Sequence, residues 1–377
     1  MHPDRLPDLA AHLTQASLAE TSVLVGFDAF LDELTHIVDR RTGPDRYEQM
    51  GSLAEFGKWV SAAAGRSGSR EAVVTRICAG GCALNLGDGL AALGVPVTAC
   101  VGLGATPHVA FSSVLSRFAA LLPFPAEPGR TTAYEFEDGK LMLCSVSHFV
   151  DVKPESLRIA FANGAYRRAA MQARALVFAS WSVYPNMTAC WRFLQNEVLA
   201  GLDHRPVICV DLADPASRAP EELVEMAEAL AGFEHIGPVV LTLNYNEAGR
   251  LASALGIALP ASSEDIAGLA GTLRRHMGLS EVSIHRLRDA CLATASTGGI
   301  RIEGPYCSQP RQSVGAGDRF NAGLLAGRLL GLDPEARLIM ATATAGFFVR
   351  EARSPSWAEL IHFIERWATG LPDTRGI

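Results

Sequence analysis

Residues 313–325 read Ser313-Val314-Gly315-Ala316-Gly317-Asp318-Arg319-Phe320-Asn321-Ala322-Gly323-Leu324-Leu325. Two glycines flank an alanine, an aspartate follows, and a helix-forming stretch begins. Small residues let backbone N–H groups approach an anion closely, and the start of a helix adds a positive dipole end. The pattern predicts a phosphate site with a built-in base. Asp318 would accept the proton of an attacking hydroxyl, and the amides of Gly315, Ala316 and Gly317 would form an anion hole. A glycine turn before an ordinary N-cap aspartate would give the same string without chemistry.

A second stretch separates these readings. Ala79-Gly80-Gly81-Cys82-Ala83-Leu84-Asn85-Leu86-Gly87-Asp88-Gly89-Leu90-Ala91-Ala92-Leu93-Gly94 is a glycine pair, then Asn85, then an apolar helix ending at a glycine. Together the two stretches resemble the signature regions of the ribokinase-like (PfkB) carbohydrate kinases. Residues 79–94 are similar to that family's Gly-Gly-x-x-x-Asn segment. Residues 313–325 are similar to its Gly-Ala-Gly-Asp segment with the following Phe-Asn-x-Gly. The resemblance runs from the first strand to the last helix. It implies a three-layer α/β/α sandwich with a mostly parallel central sheet and a small β lid. It also implies a sugar kinase that moves the terminal phosphoryl group of a nucleotide onto a hydroxyl of a sugar or sugar-like acceptor. Mg2+ is the implied cofactor and ATP the implied cosubstrate, with ADP as the other candidate; lid-to-lid homodimers are a further implication.

Bulk properties agree. The chain has 377 residues, 49% of them apolar, enough for one large α/β core. Its 33 basic and 40 acidic residues give a net charge of −7, and no polybasic run occurs, which argues against nucleic acid as a partner. No apolar run is long enough to span a bilayer, and the start of the chain carries acids and prolines instead of a signal peptide. A cytoplasmic protein without a membrane partner is the expectation. The eight cysteines are scattered, as buried reduced thiols would be.

Short apolar runs alternate with helical stretches. Strands are expected at 21–25, 95–101, 175–179, 207–210, 239–243 and 282–285, with helices at 111–122, 220–231 and 246–255 among others. Such β-then-α alternation predicts a parallel sheet covered on both faces, with ligands at the C-terminal strand ends. Two segments break the pattern: 32–75, with a helix around 53–64, and 131–146, a hairpin with Asp138-Gly139 at its turn. The resemblance makes 32–75 and 131–146 the lid, and 1–31, 76–130 and 147–377 the nucleotide- and substrate-binding core. A lid would exclude water that otherwise accepts the phosphoryl group.

The remaining site residues follow from the same comparison. An acid after the first strand grips sugar hydroxyls in the family; Asp32 is the better match and Asp28 its competitor. Gly81 would let the sugar approach the backbone, and Asn85 offers it a donor and an acceptor. Asn244 and Glu247 match an Asn-x-x-Glu element that sets nucleotide and metal, Glu247 acting through the magnesium hydration shell. A capping box would explain that pair without function. Asp211 ends another strand with Arg218 nearby, and Ala345 lies in a small-residue helix that the resemblance puts beside the adenine.

The chain also departs from the pattern. Gln312-Ser313 stands where Asp-Thr is usual, and Val282-Ser283-Ile284-His285 lacks the Thr-x-Gly turn of ATP-using members. His285 and the spacing from Gly26 to Asp32 are similar to the ADP-dependent sugar kinases, which share the fold. Two alternatives follow: a non-catalytic sugar or nucleotide sensor, and a nucleoside or ADP-dependent sugar kinase of the same fold. A Walker A loop is absent, as is a Gly-x-Gly-x-x-Gly loop after the first strand.

Overall fold

Apolar runs with no polar face need cover on both sides, and these strands receive it. The structure, a computed structural model, describes residues 5–260, 262, 264–371 and 373. In chain order the strands are β1 (Val23–Phe27), β2 (Phe30–Gly43), β3 (Arg46–Gln49), β4 (Ala72–Gly80), β5 (Val97–Val101), β6 (Ala120–Pro123) and β7 (Gly129–Phe136). They continue with β8 (Gly139–Ser145), β9 (Ala175–Phe178), β10 (Val207–Asp211), β11 (Val239–Asn244), β12 (Glu281–His285), β13 (Asp289–Thr294) and β14 (Ile300–Glu303). The main sheet has the order β14-β13-β12-β11-β10-β9-β1-β5-β6. It is parallel from β12 through β6, with β13 and β14 added antiparallel.

Side chains alternate between two cores. In β1, Leu24 and Phe27 join one apolar cluster while Val23 and Val25 join the other; in β9, Leu176 and Phe178 oppose Ala175 and Val177. Helices Pro154–Ala160, Ala165–Gln172, Met187–Phe193, Pro220–Gly232, Tyr245–Ala254 and Ile266–Met277 cover the first face. Helices Arg5–Thr14, Cys82–Ala92, Ala316–Leu329, Pro334–Glu351 and Trp357–Thr369 cover the second. The expected three-layer α/β/α sandwich is therefore borne out. Among the described residues, no helix is long and apolar enough to cross a membrane.

A second, smaller sheet leaves the main one just after β1. Its order is β3-β2-β7-β8, with β4 paired to the first half of β2. Helix Leu53–Ala62 packs Phe56 against Tyr134 and Phe136 of β7.

Two local expectations shift. The helix expected over 111–122 is only a 3-10 turn, Val109–Phe111, and a short helix, Ser112–Leu115. Residues 120–123 instead form edge strand β6, pairing with β5. A four-residue apolar run does not by itself distinguish helix from strand, and Pro123 sits at a strand end where no ladder donor is needed. The hairpin turn falls on Glu137-Asp138, one residue before the expected Asp138-Gly139.

Candidate active site

The glycine pair shapes the site by making room for two acids. β4 lies antiparallel to β2 with Phe30 opposite Gly80 and Asp32 opposite Cys78. A side chain on Gly80 would overlap the Asp32 carboxylate. Gly81 has φ +104°, and a Cβ there would lie 2.9 Å from both Ala29 Cα and Asp28 Oδ2. Asp28 is wholly buried and accepts the Cys82 and Ala83 amides at 2.7 and 2.9 Å, capping helix Cys82–Ala92. Asp28 thus caps that helix and also lines the same cavity as Asp32. Asp32 is half-buried and faces the cavity; burial raises its pKa, opposed by the Thr131 hydroxyl and the Lys140 charge.

A cavity of about 850 Å³ opens at the C-terminal ends of β1, β9, β10 and β11. Asp32, Gly81, Asn85, Glu247, Gly315 and Asp318 all line it, so segments far apart in the chain share one opening. Asn85 Nδ2 donates to Asp318 Oδ2 at 2.9 Å. The expected base and the expected sugar-binding asparagine therefore touch each other directly. A second cavity, about 440 Å³, is lined by Asn244, Tyr306, Ala316, Thr342 and Ala345. The two meet at Asn244, His285 and Gly317, which line both.

Helix Ala316–Leu329 starts at this junction. Its N-cap, Gly315, has φ +89°. The anion hole needs one correction: the Ala316 amide donates to Ser313 O at 3.1 Å, closing the turn. The Gly317 and Asp318 amides have no protein acceptor among the described residues, as expected for a first helical turn. They, with Gly315, are the donors left for an anion.

Asp211, Glu247 and Asp318 converge on one wall, where burial and their mutual charge outweigh the nearby Arg319. Asp318 is 8% exposed, and burial, followed by the charge of Asp211, pushes its carboxyl up to about 7. Arg319 and the Asn85 amide pull the other way. Asp211 accepts Ala213 N–H at 2.8 Å and Asn321 Nδ2 at 2.6 Å, yet burial keeps its pKa raised. Glu247 is raised too, by burial and then by Asp211. The capping-box geometry of Asn244 and Glu247 is real: Asn244 N–H donates to Glu247 Oε2 at 2.8 Å and Glu247 N–H to Asn244 Oδ1 at 2.9 Å. The box holds Glu247 in place at the cavity wall, so cap and site coincide. Among the described residues no three His, Cys, Asp or Glu side chains are poised to enclose a metal. An all-oxygen wall with raised pKa values fits a hydrated dication whose shell is completed by water and phosphate, as magnesium prefers.

Three neighbours received less weight in the sequence. Asn321, the Asn of the Phe-Asn-x-Gly string, orients Asp211. Arg218 lies over the Trp181 ring at 4.4 Å and pairs with Glu222 at 3.1 Å at the cavity edge. His285 lies against Phe320, ring centroids 4.9 Å apart.

The family model of prokaryotic ketohexokinase matches residues 8–367. The chain belongs to the prokaryotic ketohexokinase family. A curated ketohexokinase of Haloferax volcanii is 27% identical over 371 residues, covering 96% of each chain. Among solved structures, Arabidopsis thaliana ribokinase complexed with ribose and ATP superposes with a TM-score of 0.65 at 16% identity, covering 92% of this chain and 99% of that one. Xylella fastidiosa fructokinase with bound ATP gives 0.61 at 15%, covering 93% and 99%. The ribokinase-like resemblance is borne out, and the protein is a carbohydrate kinase that uses a sugar and a nucleotide.

Proposed function

We propose that this ketohexokinase-family member phosphorylates a ketohexose at the expense of ATP, with Asp318 as the base. The observation that carries this reading is the Asn85–Asp318 hydrogen bond at the wall of the larger cavity. Asp318 and Asn85 line the larger cavity, beside its junction with the smaller one at Gly317. The Haloferax volcanii relative is a ketohexokinase, and solved relatives carry ATP, which supports both the acceptor class and the donor.

In this mechanism Asp32 binds acceptor hydroxyls at the base of the small sheet, which acts as the lid. Asp318, poised near neutrality by its surroundings, takes the proton of the hydroxyl that attacks. The Asn85 amide holds its carboxylate in line. The Gly317 and Asp318 amides bind the oxygens of the phosphoryl group, stabilising charge that peaks in the transition state. Glu247 and Asp211 would hold Mg2+ through water, and Mg2+ when bound supplies neutralisation of the phosphates. Asn244 and Ala345 line the donor side.

The test is turnover of Asp318→Asn with fructose and other sugars, using ATP and ADP as donors. We expect kcat to fall by about 10²–10⁴-fold. Undiminished turnover would remove Asp318 from the mechanism. Turnover only with ADP, or only on nucleosides, would reassign the substrates while leaving the base.

A further inference from the structure

The junction between the cavities has three residues that line both: Asn244, His285 and Gly317. A phosphoryl group passing from donor to acceptor must cross there. Gly317 has no side chain, and Asn244 Oδ1 already accepts the Glu247 backbone N–H. His285 is the titratable side chain left at the crossing. It ends β12, beside Asn244 at the end of β11, with which it is in register. Its ring is stationed at the start of the 316–329 helix. A methyl group placed on Gly317 would lie 3.4 Å from His285 Cε1 and 3.5 Å from Nε2.

Neither ring nitrogen has a hydrogen-bond partner among the described residues, and the ring is half-buried. Burial also lowers its pKa to about 4, so the ring is neutral at physiological pH. A neutral imidazole still has one N–H to donate, and at this crossing that N–H is left free for a ligand. Among the other basic groups, Arg218 lines the larger cavity but is engaged by Glu222 and the Trp181 ring, and it does not line the second cavity. No lysine lines either cavity. Arg286 is held by Asp289, and the Arg288 guanidinium lies on the Tyr306 ring at 3.6 Å.

We infer that His285 binds a phosphate oxygen of the donor nucleotide through its ring N–H, extending the anion hole of Gly317 and Asp318 from the opposite wall. This rests on the kinase reading and adds a donor-phosphate contact to it.

The test uses the full chain, its His285→Ala and His285→Gln variants, and three calorimetric titrants: Mg-ATP, inorganic tripolyphosphate and adenosine. His285→Ala should weaken Mg-ATP and tripolyphosphate by about tenfold or more, as loss of a hydrogen bond to a charged group does. Adenosine binding should be unchanged. His285→Gln, which keeps an N–H donor, should recover most of the phosphate affinity and guards against misfolding of the alanine variant. Unchanged affinity for both phosphate titrants in His285→Ala overturns the inference. An equal loss for adenosine also overturns it, since the ring would then serve the base. Failure of the kinase reading would look different: wild-type protein would bind Mg-ATP in the same titration yet phosphorylate no sugar.

Discussion

Asp318 sits in a place that is good for chemistry and bad for stability. Its carboxyl titrates near 7 in the folded chain, against an ordinary 3.8, because it is buried and faces Asp211. The sign follows from linkage. The unfolded chain releases this proton first, so the stabilisation linked to the group is fully present below about pH 4 and is lost as pH rises through 7. Glu247 and Asp28, whose pKa values are also raised by burial, act in the same direction. Asp318→Asn removes the buried charge, so at pH 8 without ligands it should be more stable than wild type by on the order of 2–4 kcal/mol. At pH 4 the two should be equal. Chemical denaturation at both pH values measures this, and equal stability at pH 8 would mean that the carboxyl is not desolvated. In wild type, kcat/KM should rise with pH and level off above about 7, as the free-enzyme base loses its proton. A flat profile between pH 6 and 8 would contradict that assignment.

The helices that carry the site are held by small residues and by buried charge pairs, Arg319 with Asp88 and Glu281 with Arg328 and Arg337. Gly89 of helix Cys82–Ala92 meets Ala322 of helix Ala316–Leu329, where a Cβ would come within 2.7 Å. Gly323 meets helix Pro334–Glu351, with Met340 O and Thr344 Oγ1 at 2.6 Å from an added Cβ. Arg319 reaches across to Asp88 at 3.1 Å and to Ser354 at 3.2 Å, tying the helix of Asp318 to the one bearing Asn85. Gly323→Ala should therefore destabilise by about 1–3 kcal/mol through overpacking. Gly249→Ala, on a helix where nothing lies within 4 Å of the added carbon, should stabilise by up to about 1 kcal/mol. Denaturant midpoints decide; equal effects would mean that the helix crossing is looser than its geometry indicates. The strands of this layer were legible because burial on both faces writes continuous apolar runs, as in Val207–Asp211. Edge strand β6 was not, because its pairing to β5 is a long-range fact with no local signature. Asn244 and Glu247 were legible as a pair but not as a choice between cap and site, since one geometry serves both. Likewise the reason for Gly80 and Gly81 became visible only once β4 lay across Asp28 and Asp32.

At the scale of the molecule, the two sheets are unequal in stability. The main sheet is sandwiched between two extensive apolar clusters, whereas the small sheet has Ile37, Met50 and Phe136 as its buried cluster. Val74, Ile77 and Leu143 of the small sheet are exposed. Segments with few buried apolar contacts open at lower free energy than the global fold, and lids are drawn from them. From this sheet Phe30, Asp32, Thr131, Met142 and Cys144 line the larger cavity, and Asp32, Thr131 and Cys144 are cross-strand partners on β2, β7 and β8. A sugar bound there would cross-link the small sheet to the β1 end of the main one. Hydrogen exchange should therefore separate the ligands by region. In the free protein, amides of β3, β4 and β8 should exchange faster than those of β9 to β11. Fructose alone should slow exchange in β2, β7 and β8, while Mg-ATP alone should slow it at residues 285–288 and 316–318, leaving the small sheet as it was. Sugar-dependent protection confined to the main sheet would mean that the small sheet is an appendage and not a cover over the acceptor.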